Sequence, residues 1–511
     1  MHAHALADTA RDPAWIKVID QTRCIGCHAC STACKSENQV PLSVNRTYVK
    51  SVDVGHFPLA RRFFQVTRCN QCANPPCVAA CPTAAMFQRR DGIVDFDKRI
   101  CIGCKACIAA CPYDAIFINP DDHAAEKCNF CAHRIDRGLE PACVVVCPTQ
   151  AIVVGDRHDP DGRAARLLHR DPVAVRRPEK ETRPQLFYKG AHAATLDPLA
   201  AARPSGGLFM WSQQARGPQA VVSGHPYGRN SSAAAVLSYD VGHLAPWDWR
   251  VSLYTWTKSL AAGVYIVAAL LVLGGALSAD QMLWRWMAPV ASLAFMAITG
   301  VILIADLEHP ERFYLIFTRP QWRSWLVRGA FVIGAYAGVL VAHAALNVTG
   351  SAAWQRPLAG AGLPLAAATA VYTAYLFAQA KGRDLWQSAL LPPHLIVQAL
   401  LAGAAVLAPA AAWLAPESLP PLLWTMAGSA AAHLLIVAGE TTLAHPTAHA
   451  RLAVREMVAG PFRGYFWAGA AGVAAALLAP WVGVAVAAAP LLGLMAYEHA
   501  YVQAGQAVPL A

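Results

Sequence analysis

The chain has 511 residues, 56% of them hydrophobic, with a formal charge of +10 and sixteen cysteines. That apolar content excludes a disordered or purely solvated polymer, and the positive charge comes with no recognition motif, so no nucleic-acid partner is expected. The composition divides sharply: every cysteine lies before residue 148, and most of the hydrophobic excess lies beyond residue 250.

In chain order the cysteines form four groups of four. Cys24, Cys27, Cys30 and Cys34 make the first, and Cys69, Cys72, Cys77 and Cys81 the second. Cys101, Cys104, Cys107 and Cys111 follow, then Cys128, Cys131, Cys143 and Cys147. A tight C-x2-C-x2-C turn delivers three thiolates to one [4Fe-4S] cubane, and the cysteine one helical turn further on serves a neighbouring cluster. Sixteen thiolates suit four [4Fe-4S] clusters with none left over. Disulfides suit short secreted chains, and nothing at the N-terminus resembles a signal peptide. Structural zinc would leave ligands spare. Cys24-Ile25-Gly26-Cys27-His28 also matches a haem-attachment pattern, but Cys30 and Cys34 continue the ferredoxin spacing, so these residues are read as iron ligands.

The phrase around Cys24-Ile25-Gly26-Cys27 recurs at Cys101-Ile102-Gly103-Cys104, and a closing phrase recurs from Cys81, Cys111 and Cys147. Each unit reads as a cluster loop, a short helix, a proline stop and a short strand, with strands expected at Ile116 to Ile118 and Ile152 to Val154. The crossing rule then pairs Cys69, Cys72 and Cys77 with Cys111, and Cys101, Cys104 and Cys107 with Cys81. It pairs Cys24, Cys27 and Cys30 with Cys147, and Cys128, Cys131 and Cys143 with Cys34. The expected fold is an α+β ferredoxin-like four-cluster domain, followed by an all-α polytopic membrane bundle of about eight helices.

The domains are expected at 1–155 (iron–sulfur), 156–240 (an Arg/Pro/Gly-rich linker or docking arm) and 241–511 (transmembrane). Eight spans are read at about 254–277, 285–306, 325–346, 358–380, 394–414, 421–444, 462–480 and 482–503. Ala- and Gly-rich faces suit close packing in lipid, and tryptophans at the helix ends suit interface anchoring. With an even count, both ends of the bundle share the iron–sulfur side. The short loops there carry Arg312, Arg319, Arg323, Lys381, Arg383, Arg451, Arg455 and Arg463, against Arg285 and Arg356 opposite. That asymmetry points to a multi-pass inner-membrane protein with a cytoplasmic iron–sulfur domain.

Ionisable groups inside apolar spans are costly and mark function. Lys258 lies in span one, and Asp306, His309 and Arg312 lie in a dense charged stretch that closes span two. Glu440 stands in span six without a local partner, and Tyr372 and Tyr375 in span four offer hydroxyls to a quinone carbonyl. These seven are the candidate quinone-binding residues. His343 and His433 read as hydrogen-bonded core histidines, and no haem is expected.

The first 155 residues resemble the four-cluster electron-transfer subunits of the complex iron–sulfur molybdoenzymes, on all sixteen cysteines in order and spacing. Residues 250–511 resemble the NrfD-like polysulfide reductase membrane anchors. That likeness rests on Leu260-Ala261-Ala262-Gly263, on Asp306-Leu307-x2-Pro310-x-Arg312-Phe313 and on Ser324-Trp325-x2-Arg328-Gly329. The resemblance implies a fusion that exchanges electrons with a quinone (ubiquinone or menaquinone) and contains no haem. The partners it implies are a molybdopterin-type catalytic subunit, the lipid bilayer and the quinone pool. The alternatives are a quinone-coupling module for a hydrogenase or multihaem cytochrome, and an anchor without its own quinone site.

Overall fold

Residues 12–202, 235–350 and 352–510 are described by the computed structural model of the chain. The iron–sulfur half is a set of small sheets wrapped around cysteine loops. Its strands are β1 (Trp15–Asp20), β2 (Thr47–Val54), β3 (Arg61–Arg68), β4 (Met86–Gln88), β5 (Val94–Phe96) and β6 (Ile116–Ile118). Then come β7 (Ala125–Lys127), β8 (Ile152–Asp156), β9 (Val173–Ala174), β10 (Leu186–Lys189) and β11 (Ala235–Tyr239). One sheet runs β8-β1-β10-β9 and another β11-β2-β3, while β4-β5 and β6-β7 are hairpins.

Short helices close the cysteine loops: α1 (Ala29–Asn38), α2 (Pro76–Ala80), α3 (Ala106–Ala110), α4 (Ala132–Ile135) and α5 (Ala142–Val145). The two C-x2-C-x2-C turns adopt the same backbone. Gly26 and Gly103 have φ of 69° and 68°, and His28 and Lys105, which precede α1 and α3, have φ of 59° and 60°. Left-handed conformations of this kind suit glycine. The prolines after Cys81 and Cys111 lie just beyond α2 and α3, where they cannot extend the helix.

The stretch expected as a linker or docking arm lies over this half as far as residue 202. Its α6 (Arg163–Arg170) packs on β8, β10 inserts beside β1 in parallel, and α7 (Ala193–Leu196) follows. Later in the same stretch, β11 pairs with β2. Residues 203–234 of it lie outside the described residues.

Eight long helical segments make up the rest. They are α8 (Trp249–Leu273), α9 (Ala288–Ala305, preceded by a π turn at Leu283–Met287), α11 (Trp325–Val348) after the short α10 (Leu315–Thr318), and α12 (Gln355–Gln379). The series continues with α13 (Leu391–Leu414) and α14 (Leu419–Thr442), then the amphipathic α15 (Ala448–Val458) and α16 (Arg463–Ala475). The short α17 (Ala479–Val482) and the final α18 (Ala488–Ala507) complete it. Among the described residues, seven segments are long and apolar enough to cross a membrane, the seventh running through 3-10 turns from Arg463 to Val486. α18 is the eighth long helix and packs along α16. The first span begins at Trp249 rather than near 254, because Asp248 caps it by accepting from the Arg250 N–H at 2.8 Å. The break expected at Pro480-Trp481 is wider: regular α-helix stops at Ala475 and resumes at Ala488, with Gly483 at φ 79° between.

Small residues set the helix spacing. A Cβ placed on Gly263 or Gly403 would strike the backbone of the other helix, so α8 and α13 touch main chain to main chain. Gly469, Gly472 and Gly493 do the same for α16 and α18. The start of α8 and the end of α18 lie together, with the Trp247 N–H 3.2 Å from Gln506 Oε1, and this end of the bundle carries the iron–sulfur half.

Candidate electron-transfer site

The sixteen thiols are all free of disulfides and gather in four places. Cys81, Cys101, Cys104 and Cys107 line one cavity, Cys69, Cys72, Cys77 and Cys111 a second, and Cys24, Cys27, Cys30 and Cys147 a third. Cys34 faces Cys128, Cys131 and Cys143. Among the described residues no three ligating side chains close on a point as a single metal ion requires. The thiols surround volumes instead, which is what a cubane with iron at its corners needs. Donors point at the sulfurs: the Met86 N–H reaches Cys81 Sγ at 3.4 Å, the Ala125 N–H reaches Cys101 Sγ at 3.4 Å, and the Ala151 N–H reaches Cys147 Sγ at 3.2 Å. Asn38 Nδ2 lies 3.6 Å from Cys131 Sγ, and Arg68 Nη1 donates to Cys143 Sγ at 3.0 Å.

Burial pushes the Cys30 thiol up to about 11 and Cys34 up to about 12. Cys143 goes the other way: burial opposes its charge, but Arg68 and Lys17 hold it below its ordinary value. Two side-chain nitrogens of Arg68, Nε and Nη2, are buried without a protein acceptor. A donor set of backbone N–H groups and an under-satisfied guanidinium, all aimed at sulfur, fits an anionic iron–sulfur cluster in these cavities.

The Cys101–Cys107 loop is set directly on the membrane half. Lys105 Nζ pairs with Glu308 Oε1 at 2.9 Å and lies 3.8 Å from Asp306 Oδ1. Trp247 Nε1 donates to the Cys104 carbonyl at 3.3 Å, and the His309 N–H to the Ile102 carbonyl at 3.2 Å. Arg312 Nη1 caps the Lys98 and Cys101 carbonyls at 3.0 and 3.1 Å, and Ser324 Oγ donates to the Ala80 carbonyl at 2.8 Å. A Cβ on Gly103 would collide with Glu308. The charged stretch from Asp306 to Arg312 is therefore the cradle of one cluster loop.

The other candidates lie apart from that cradle. Lys258 is fully enclosed and does not reach the interface: its Nζ donates to the Ala370 carbonyl at 2.6 Å and lies 5.0 Å from the Tyr372 ring centroid. Tyr372 packs under Gly329, and Tyr375 is partly exposed and stacked on Trp325 at 4.4 Å. Glu440 accepts from Tyr497 Oη at 3.2 Å, and its Oε2 lies 3.3 Å from His394 Nδ1. The Nε2 of His394 meets His433 Nδ1 at 2.9 Å. The seven expected residues thus fall into three places rather than one pocket.

Sequence reasoning missed several side chains that matter here. Glu498 supplies the carboxylate whose field reaches Lys258, and His394, Gln398 and Glu498 line a narrow cavity with Thr255, Thr373 and Tyr497, closed by Phe377, Leu391 and Leu395. Glu498 was findable, as an acid within an apolar span. The roles of Lys105 and Trp247 gave no such signal, because their partners lie 201 and 143 positions away in sequence.

Residues 239–509 match the family described as polysulphide reductase, NrfD. The protein belongs to the NrfD family. Residues 60–157 match a 4Fe-4S dicluster domain, so an iron–sulfur electron-transfer module is fused to the NrfD membrane module. The front part is 46% identical over 192 residues to a tetrathionate reductase subunit of Salmonella typhimurium, covering 36% of this chain and 74% of that protein. It is 44% identical over 171 residues to a polysulfide reductase chain of Wolinella succinogenes, covering 33% and 90% respectively. Protein NrfC of Escherichia coli K12 is 42% identical over 174 residues, covering 33% and 78%. This NrfD fusion is a multi-pass membrane protein that carries iron–sulfur clusters.

Proposed function

We propose that the protein moves electrons between a membrane quinone and a separate molybdopterin-type catalytic subunit through four [4Fe-4S] clusters, with residues 1–155, 156–240 and 241–511 as its three parts. Each cluster takes the four thiols that share a cavity: Cys101, Cys104, Cys107 and Cys81 nearest the membrane, then Cys69, Cys72, Cys77 and Cys111. Cys128, Cys131, Cys143 and Cys34 follow, and Cys24, Cys27, Cys30 and Cys147 hold the last. The observation that carries this reading is the placement of the two repeated loops. Cys104 hangs from Trp247 and Lys105 against the membrane half, while Cys27 and Ile25 are exposed on the other loop.

When bound, the clusters supply one-electron carriers, and the chain supplies their entrance and exit. Lys105 of the inner loop and Asp306 at the end of the second span lie 3.8 Å apart, where a quinone head group meets both a cation and a carboxylate. The Asp306 carboxylate receives a proton released on quinol oxidation, and the Lys105–Glu308 pair holds the loop at fixed distance. The exposed Cys24–Cys30 loop is the face for the catalytic subunit. The names of the relatives favour a substrate among small sulfur compounds. The basic loops on the iron–sulfur side support an inner-membrane location with that side cytoplasmic.

The test is cluster reduction in the full chain, purified anaerobically in mild detergent. A quinol analogue is added to oxidised protein, quinone to dithionite-reduced protein, and the iron–sulfur signals are followed by EPR. Exchange in either direction is expected, slowed about tenfold or more by Asp306→Asn. No exchange in both directions from cluster-replete protein would leave the membrane half as an anchor.

A further inference from the structure

Three cations are buried among the sixteen thiols. Lys17, Arg68 and Lys127 are 2%, 1% and 0% exposed, and among the described residues no carboxylate lies within 4 Å of any of them. Burying a cation without a counter-charge costs several kcal/mol, so an anion must stand nearby in the working protein. Arg68 Nη1 donates to Cys143 Sγ at 3.0 Å while its Nε and Nη2 find no acceptor. Lys127 Nζ donates to the Cys128 carbonyl at 3.3 Å and to the Val94 carbonyl. Lys17 Nζ sits 4.2 Å over the Phe130 ring, beside the Cys128–Cys131 turn. Arg68 and Lys17 converge on one cavity, that of Cys34, Cys128, Cys131 and Cys143, whereas Lys127 lies toward Cys69 and Cys77 of the neighbouring one. The membrane-facing loop differs: its cation, Lys105, is already paired with Glu308.

We propose that Arg68, assisted by Lys17, makes the cluster held by Cys34, Cys128, Cys131 and Cys143 the most easily reduced station of the chain. The inference rests on the four-cluster assignment above. Reduction adds one electron, arriving from the neighbouring cluster, and hence one unit of negative charge to the site. A fixed, enclosed cation with unused N–H donors favours that reduced form, because low local dielectric strengthens its field and its hydrogen bonds to sulfur. Arg68 is a positioning and tuning residue: it holds charge at Cys143 Sγ and neither carries the electron nor ligates iron. Burial works against its own charge, yet the thiolates of Cys143, Cys128 and Cys30 more than offset this and keep it protonated. An internal sink of this kind would hold an electron ready while the exposed end waits for its partner.

The experiment is an EPR-monitored potentiometric titration of the purified full chain, with iron and sulfide quantified in the same samples. Cys143→Ser marks which signal belongs to this cluster. Arg68→Gln is expected to lower that one midpoint, so that the reduced-to-oxidised ratio at the wild-type midpoint falls about tenfold, or about 59 mV for a one-electron couple. Arg68→Lys should retain most of the wild-type value, the cluster of Cys24, Cys27, Cys30 and Cys147 should shift less in Arg68→Gln, and the two remaining midpoints should stay in place. Iron-replete Arg68→Gln with four unchanged midpoints, or with all four shifted equally, overturns the proposal. If Arg68→Gln loses iron, Lys17→Gln reaches the same cavity from another side, and a wild-type titration in that variant overturns the proposal equally. Fewer than four clusters in the wild-type protein would instead sink the four-cluster assignment, which the iron and sulfide analysis reads separately.

Discussion

The two loops Cys24-Ile25-Gly26-Cys27-His28-Ala29-Cys30 and Cys101-Ile102-Gly103-Cys104-Lys105-Ala106-Cys107 differ at one residue and share one backbone. Their surroundings are opposite. Ile25 is 58% exposed and Ile102 is 1% exposed; Cys27 is open to solvent, while the Cys104 carbonyl is capped by Trp247. Local sequence dictates the cluster turn, and everything that makes one loop an inner contact and the other an outer one comes from distant segments. The single changed position, His28 against Lys105, is where those distant segments read the difference: His28 meets Tyr239 edge-on at 5.1 Å, whereas Lys105 pairs with Glu308.

The strongest way to break the comparison is to place the same charge on both loops. Ile102 packs with Leu315, Ile316 and Val327, so Ile102→Asp buries an unpaired carboxylate between the two halves. It should cost on the order of 4 kcal/mol or more, lower the apparent Tm in detergent and abolish quinol-driven cluster reduction. Ile25→Asp should stay within about 0.5 kcal/mol of wild type in stability and leave quinol reduction intact, while weakening capture of the catalytic partner. Equal effects at the two sites would show that the outer loop is also covered.

What was legible in the sequence follows the same line between local and distant. Which thiols share a cavity could be read because a C-x2-C-x2-C turn fixes three sulfurs and one helical turn directs the fourth away. The membrane helices could be read because apolar length is a local property. The cradle from Asp306 to Arg312 showed its charges but not their use, since Arg312 spends its donors on carbonyls of Lys98 and Cys101. The polar group of Glu440, His394, His433 and Tyr497 comes from α13, α14 and α18, and only the packing of those helices brings it together. Strand β10 was invisible for a simpler reason: four residues are too few to show a period of two.

A pH titration sharpens the comparison at the turns that follow the loops. Asp114 and Gln150 occupy equivalent positions after Cys111-Pro112 and Cys147-Pro148, at φ of 49° and 50°. Gln150 meets the exposed Arg163 at 3.1 Å, whereas Asp114 is held by His243 Nδ1 at 2.5 Å, with Asp240 3.3 Å from the other ring nitrogen. Burial opposes a charge on His243, but Asp114 and Asp240 raise it to about 9 from an ordinary 6.5. A histidine raised on folding gives stability that is fully present below pH 6.5 and lost as pH climbs to about 9. The loss should be on the order of 3 kcal/mol across that window. Thermal unfolding from about pH 6 to 9 should show it, and His243→Gln should flatten the profile. An unchanged slope in that variant would place the titrating group elsewhere.

The smallest effect comes from the one position at which the two loops differ. Lys105→Met keeps the long aliphatic stem but removes the charge that meets Glu308 and Asp306, at a site where Lys105 is only 13% exposed. The pair is half-sheltered, so its loss should cost about 1–2 kcal/mol, more than an open surface pair and less than a buried one. His28→Met removes an edge contact with Tyr239 and should cost a few tenths of a kcal/mol. The informative readout is salt dependence. Rising ionic strength should weaken quinol-driven reduction in the wild type by screening the Lys105–Glu308 contact, and should do nothing further in Lys105→Met. If the variant keeps the wild-type salt response, the inner loop is held by Trp247, Arg312 and the packing of Ile102 alone, and the lysine marks the inner loop without fastening it.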